Sequence, residues 1–506
     1  MKKAALLFWV GIFLSILSSC GPRESAPTLE PSRVTTGSPS SPAAPETPDL
    51  ETPIRSTPSP QPTSTPSLLP EITYQLDAVY HYTEHQLKVK QLVLIPHPGT
   101  DPIQEIILAV PPNAWGEVFN LIEARWGDGR SVDNLQIEGV KLTLPLEDPW
   151  EPMTTRSLEL EYSLSLPVQN AREGFGPSPF GYTDLQVNLV DWHPMVPPYN
   201  QEQGWIVHDP WIFGEYLVYP AADYHVNLQI LEGPELVVAA SAEETGGGSV
   251  RTYHLQQARN LVFSLSPQYQ VLEDQVGGTT VKGYYFPGYQ TSAEAAFKTT
   301  VEALELFNSQ YGPYLQTSLS MVQADFNHGM EYEGLYFQSR GFFDTYNGTE
   351  KNFLTIIAAH ETAHQWWYGQ VANDQALEPW LDEALCTFSE LVFYERLYPD
   401  AVDWWWAARV EFYQPEGRID GSIYDYQGIQ DQYLAYRDAT YLQGAKFLVR
   451  LRDSLGEEAF YAFLQEYLTR YAGGIASGQD FFNTLENYTE LEKLDWLGEF
   501  FPDRTP

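Results

Sequence analysis

A two-part fold is predicted: an antiparallel β domain over residues 71–270, then a mostly helical domain over residues 271–506. The first half shows apolar residues alternating with a period of two, clearest in Leu158-Glu159-Leu160-Glu161-Tyr162-Ser163-Leu164 and in Tyr224-His225-Val226-Asn227-Leu228-Gln229-Ile230. Turn-forming punctuation such as His97-Pro98-Gly99 and Gly246-Gly247-Gly248 separates many such runs, which favours a sandwich or saddle over a parallel sheet. After Pro287 the spacing becomes helical, with Phe297, Val301, Leu304 and Phe307 on one face.

Two further segments precede these. Residues 1–20 read as a signal peptide: Lys2 and Lys3 supply the positive region, and the apolar core of residues 4–17 is too short to span a membrane comfortably. Leu17-Ser18-Ser19-Cys20-Gly21 resembles the lipobox of bacterial lipoproteins, which implies that Cys20 is diacylated and becomes the first residue of the mature chain. Acyl chains there would hold the protein at a membrane surface without a spanning helix. Residues 21–70 are rich in Pro, Ser and Thr and poor in large apolar groups, so they cannot bury enough surface to offset their chain entropy. A disordered tether is expected, one that lets the body stand clear of the lipid at the cell surface or in the periplasm.

Composition narrows the partners. With 67 acidic against 28 basic residues and a net charge of −39, the long-range field repels phosphate backbones, which excludes nucleic acid. A preference for cationic substrates is one reading of that charge, and a solvated acidic surface is the other. Cys20 and Cys386 are the two cysteines, so a disulfide framework and a Cys-ligated zinc site are both unavailable, and any metal must use His and carboxylate. In the β-rich half, His81, His85, His97, His193, His208, His225 and His254 are scattered without a ligand set and are expected to be structural.

In the helical half, Thr291 with Glu294 has capping-box spacing, and Gly312 is expected to stop the first helix. Residues 353–371 continue the helical pattern and contain His360-Glu361-Thr362-Ala363-His364, an HExxH motif. Residues four apart share a helical face, so two imidazoles can converge on one cation while Glu361 lies beside it without ligating. A catalytic zinc site uses three protein ligands and leaves a fourth position open. The candidate third ligand is Glu383, in Trp380-Leu381-Asp382-Glu383-Ala384-Leu385 on the next apolar-periodic helix. One Zn2+ per chain is expected.

HETAHQWWYG followed by WLDEALCTFSE resembles the aminopeptidase N family of gluzincin zinc metallopeptidases, whose usual pattern is HExxHxWxG and then WLNEG. Tyr368 stands where that family's Gly is usual, and Ala384 replaces the Gly after the third ligand. The resemblance implies an N-terminal β-saddle and a thermolysin-like catalytic domain, with zinc on His360, His364 and Glu383 and with Glu361 as general base. Gly329-Met330-Glu331-Tyr332 is similar to the GxMEN exopeptidase motif, with Tyr332 in place of Asn, and implies that Glu331 binds the α-amine of a peptide. Tyr441-Leu442-Gln443-Gly444 resembles the family's YxKG segment and implies that Tyr441 donates to the oxyanion. The chain ends soon after Trp496 and Phe500, so a form without the family's large helical C-terminal domain, with a more open channel, is expected.

These readings converge on an aminopeptidase acting on peptides. Two alternatives stay open at this point: an endopeptidase or other zinc hydrolase on the same scaffold, and a non-catalytic surface lipoprotein that binds a partner. A structural Glu331 at a strand end and a core-packing Tyr441 are the plainer readings of those two residues.

Overall fold

A computed structural model describes residues 71–169 and 178–503, so the expected signal peptide, Cys20 and the tether lie outside the described residues. The described residues belong to one compact unit running from Ser67 to Pro506.

The alternating runs become strands with one buried face. Leu158, Leu160, Tyr162 and Leu164 are at most 2% exposed, as are Tyr224, Val226 and Leu228. Burying each large side chain contributes about 1.5–3 kcal/mol, which fixes strand register because a one-residue slip would turn the whole set to water. Both runs sit in a six-stranded sheet ordered Val250–Ala258, Ala222–Leu231, Ile72–His81, Gln86–Pro96, Thr155–Ser165 and Phe119–Trp126. The expectation of purely antiparallel pairing needs one correction: Ile72–His81 runs parallel to Ala222–Leu231, with Tyr74 opposite Tyr224. Long connections between these strands permit that pairing, and period-two alternation carries no signal of strand direction. Smaller sheets of two, three and four strands complete the β half.

The helical half opens with a sheet that periodicity did not reveal. Its five strands are ordered Gln270–Val276, Thr279–Tyr285, Ser318–Ala324, Leu335–Ser339 and Gly329–Tyr332, and Ser318–Ala324 is buried at every position. A strand covered on both faces has no alternation to read. Gly329–Tyr332 forms the edge of this sheet, paired antiparallel with Leu335–Ser339.

The first helix spans Gln290–Gln310, which corrects the capping box. Tyr289 takes the cap position with no side-chain cap bond, Thr291 already lies inside the first turn, and Glu294 accepts instead from Gln290 Nε2 at 2.9 Å. The HExxH helix, Phe353–Ala363, is shorter than the 353–371 pattern suggested. Asn352 caps its start by accepting from Thr355 N at 2.9 Å, and His364 closes its end. The Trp380–Leu397 helix is buried continuously from Trp380 to Tyr394, which places it inside the core.

Arg259, at 0% exposure, ties the β half to the chain after the HExxH helix. Its guanidinium donates to the carbonyls of Gly369 at 3.0 Å, Tyr219 at 3.2 Å and Gly474 at 2.8 Å. Removing such a group would strand several buried acceptors at once.

Candidate metal centre and active site

The HExxH and Trp380–Leu397 helices lie side by side and bring three donors together. Ligand atoms of His360, His364 and Glu383 lie within 4.8 Å of one another, all buried. His360 Nε2 is 3.1 Å and His364 Nε2 3.7 Å from Glu383 Oε2. The other ring nitrogen of each histidine is engaged: His364 Nδ1 contacts Trp367 O at 3.1 Å, and His360 Nδ1 contacts Glu390 Oε1 at 2.8 Å. That leaves both Nε2 atoms for a metal, the arrangement by which outer partners fix the tautomer of ligating histidines. Two imidazoles and a carboxylate with an adjacent free carboxylate fit zinc.

Glu361 sits beside this set. It is 4% exposed, and its Oε2 has no hydrogen-bond partner. Burial pushes its carboxyl up to about 8, while His360 pulls it down. Gly329 explains how the group fits, since a Cβ there would lie 1.9 Å from Glu361 Oε1.

Every site residue foreseen in the described region lines one cavity of about 460 Å³: Gly329, Met330, Glu331, His360, Glu361, His364, Glu383 and Tyr441. Glu331 lies in the edge strand, 4% exposed, and accepts from Gln375 Nε2 at 3.0 Å. The same Gln375 nitrogen donates to Asp382 Oδ2 at 2.8 Å. Burial, then the charge of Glu215, drives the Glu331 carboxyl well above the ordinary range. Tyr441 falls in a π-helical turn, Asp438–Gln443, and its hydroxyl donates to Glu383 Oε1 at 2.5 Å. Close packing holds that turn: a Cβ on Gly444 would meet Ala384 Cβ at 2.3 Å.

The β half contributes to the cavity as well. Glu215 and Asp191, both from that half, line the same cavity. Glu215 Oε2 is buried without a partner, and burial together with the charge of Glu383 pushes its carboxyl up to about 8. No spacing in Phe213-Gly214-Glu215-Tyr216 points to it. Glu390 was also missed, although it lies seven positions after Glu383 on the same helix, two turns along one face. The scattered histidines stay outside the ligand set: His208 Nε2 meets Asp374 Oδ2 at 2.8 Å, and His193 Nδ1 meets Pro194 O at 3.0 Å.

A β-rich half backed against a helical half, with an HExxH helix and a glutamate from the next long helix around one buried point, is the arrangement that the resemblance to gluzincin metallopeptidases implied. The chain carries a Peptidase family M1 domain, matched over residues 295–501. Its curated relatives include Aminopeptidase M1-B of Oryza sativa subsp. japonica, 26% identical over 51% of this chain and 32% of the relative. Aminopeptidase N of Lactobacillus delbrueckii subsp. lactis is 27% identical over 41% of this chain and 27% of the relative. The chain thus spans about a third of the length of these relatives. Among solved structures, the M1 zinc metallopeptidase of Deinococcus radiodurans shares the fold, with a TM-score of 0.61 at 18% identity over 87% of this chain and 97% of that one. A mutant of that enzyme bound to a Tyr-Ser-Ala substrate has a TM-score of 0.58.

Proposed function

We propose that this chain is a zinc-dependent aminopeptidase that removes residues from the free amino end of peptides. The observation that carries the reading is that Glu331 and Glu215, two carboxylates outside the ligand set, line the same cavity as His360, His364, Glu383 and Glu361. Two crowded, buried carboxylates call for a cation, and the α-ammonium of a peptide is the cation that an exopeptidase must recognise.

Zinc, when held by His360, His364 and Glu383, supplies a Lewis acid for the scissile carbonyl and an acidified water. Glu361 takes the proton of the attacking water and returns it to the leaving amine. Tyr441 donates its hydroxyl to the carbonyl oxygen as charge develops there, where a hydrogen bond is worth most to rate. Glu331 and Glu215 hold the ammonium, so the first peptide bond is the one placed for attack. The edge strand Gly329–Tyr332 offers backbone groups to an extended peptide, which supports binding of the substrate as an added strand.

The deciding experiment compares free and N-acetylated peptides with and without a chelator. Chelator-sensitive cutting of free peptides at their first bond, with acetylated ones spared, is expected; equal cutting of both would reject the aminopeptidase reading.

For location, the reading is export and lipid anchoring through Cys20, supported by the sequence of residues 1–20. Among the described residues no helix is long and apolar enough to cross a membrane. Radiolabelled palmitate should enter the wild-type chain and not Cys20→Ser, and labelling of both would remove the anchor.

A further inference from the structure

The helical run that carries Tyr441 presents more than its phenol to the cavity. Tyr433 and Arg437 fall in the helix Gln432–Arg437, which continues into the π-helical turn Asp438–Gln443. Tyr433, Arg437 and Tyr441 thus recur at intervals of four along one run, and all three line the cavity. Among the described residues, Arg409 and Arg437 are the Lys or Arg side chains on its wall. We propose that Arg437 binds the free carboxyl end of a two- or three-residue peptide, which makes short peptides the substrate class; this rests on the aminopeptidase reading and names what that site prefers.

The two arginines are engaged differently. Arg409 forks the fully buried Glu390 carboxylate, with Nε 2.9 Å from Oε2 and Nη2 2.9 Å from Oε1, so both oxygens are matched. Arg437 meets a single oxygen: Nε donates to Asp438 Oδ1 at 2.9 Å, Nη2 donates to the same atom, and Nη1 makes no hydrogen bond to the described residues. Its Cζ also lies 3.9 Å over the Tyr413 ring. The guanidinium is therefore held in place by a stack and by one edge, with donors left over for a second carboxylate. Such a group loses little freedom when its ligand arrives.

The edge strand sets a direction in the cavity. Glu331, which holds the α-amine in the aminopeptidase reading, lies two residues after Gly329, and Gly329 abuts the proposed base, since a Cβ there would lie 1.9 Å from Glu361 Oε1. Going back along the strand from Glu331 to Gly329 leads from the amine to the bond under attack, and one residue further stands His328. The His328 ring lies 6.1 Å from that of Tyr433, edge to face. The leaving side of the cavity is thus bounded by the helix that bears Tyr433 and Arg437. Arg437 is one turn from Tyr441, a separation of about 5–6 Å between Cβ atoms, and an extended peptide advances about 3.3–3.6 Å per residue. A chain that ends one or two residues past the cut places its carboxylate within reach of Arg437, and a longer chain runs past it.

Charge explains why such a group is needed. Asp191, Glu215, Glu331, Glu361 and Glu383 line the same cavity. Their field opposes a peptide carboxylate unless a fixed cation receives it.

The test compares Leu-Gly and Leu-Gly-Gly with their carboxamides, which keep the length and the free amine and remove the terminal charge. Wild type should favour the free acid at one or both lengths by about tenfold or more in kcat/KM, carried by KM. Arg437→Gln should bring the acid-to-amide ratio to within about twofold of unity with zinc content unchanged, and Arg437→Lys should restore part of it. A binding measurement needs no change at Arg437: calorimetry on zinc-loaded Glu361→Gln should show the preferred acid binding about tenfold tighter than its amide. Equal handling of acid and amide by wild type at both lengths overturns the assignment, as does an acid preference that survives in Arg437→Gln. Either result leaves the aminopeptidase reading standing as long as acetylated peptides are spared; equal cutting of acetylated and free peptides removes both.

Discussion

His360 Nδ1 lies 2.8 Å from Glu390 Oε1, and Arg409 forks the same carboxylate from the other side, with Nε 2.9 Å from Oε2 and Nη2 2.9 Å from Oε1. Trp405 Nε1 adds a third donor at 3.0 Å. Against its burial, the Arg409 charge and the hydrogen bonds from His360 and Arg409 hold Glu390 below the ordinary carboxylate range. An ionised Glu390 orients the imidazole and raises its basicity toward a metal. Glu390→Gln is expected to lower zinc affinity about 10- to 100-fold, measured by competition with a chelator of known strength. Unchanged affinity would show that Arg409 and Glu390 serve only the core.

Glu361 carries the proposed proton transfer and takes no part in the ligand set. Glu361→Gln should therefore keep one zinc per chain and lose roughly 10² to 10⁴-fold in kcat. Metal content by atomic absorption and turnover on the same sample separate the two effects; full turnover in that variant rejects the base.

Gly329 makes room for that base. With a Cβ 1.9 Å from Glu361 Oε1 and 3.1 Å from Ile357 Cγ2, Gly329→Ala must displace the carboxylate. A shift near 1 Å in a catalytic group costs about 100-fold in rate, so kcat should fall by that order with zinc retained. Activity within twofold of wild type would mean that the edge strand moves instead.

Glu333 gives a pH signature of stability. It is 4% exposed, burial pushes its carboxyl from 4.5 up to about 7, and Arg259 opposes the rise. A raised folded-state value means that the native chain holds this proton more tightly than the unfolded chain. The contribution is full below about pH 4.5 and is lost as pH climbs to about 7. Urea titrations from pH 4.5 to 8 should show a loss on the order of 2–3 kcal/mol in wild type relative to Glu333→Gln. Parallel curves for the two proteins would contradict it.

What the sequence made legible follows the range of each interaction. His360, Glu361 and His364 could be read because four-residue spacing is a local property of a helix, and Glu383 because it stands in the next recognisable helix. Glu390 repeats the face of Glu383 two turns later, but a charge within an apolar helix carries no label for the histidine it meets on another helix. Asp191 and Glu215 reach the site only because the β half folds back on the helical one, and no pattern near them in the chain encodes that return. The Thr291 and Glu294 pair misled for the opposite reason: its spacing is right, but the helix begins one residue before Thr291, so the register is wrong. The buried strand Ser318–Ala324 has apolar contact on both faces and therefore no rhythm to detect.

The contact between Gly444 and Ala384 leaves no space for even a methyl group between the segment bearing Tyr441 and the helix bearing Glu383. Those two side chains must then travel as a pair, and whatever tugs the carboxylate also re-aims the phenol. The aim of the phenol is therefore set by backbone packing as well as by its hydrogen bond to Glu383.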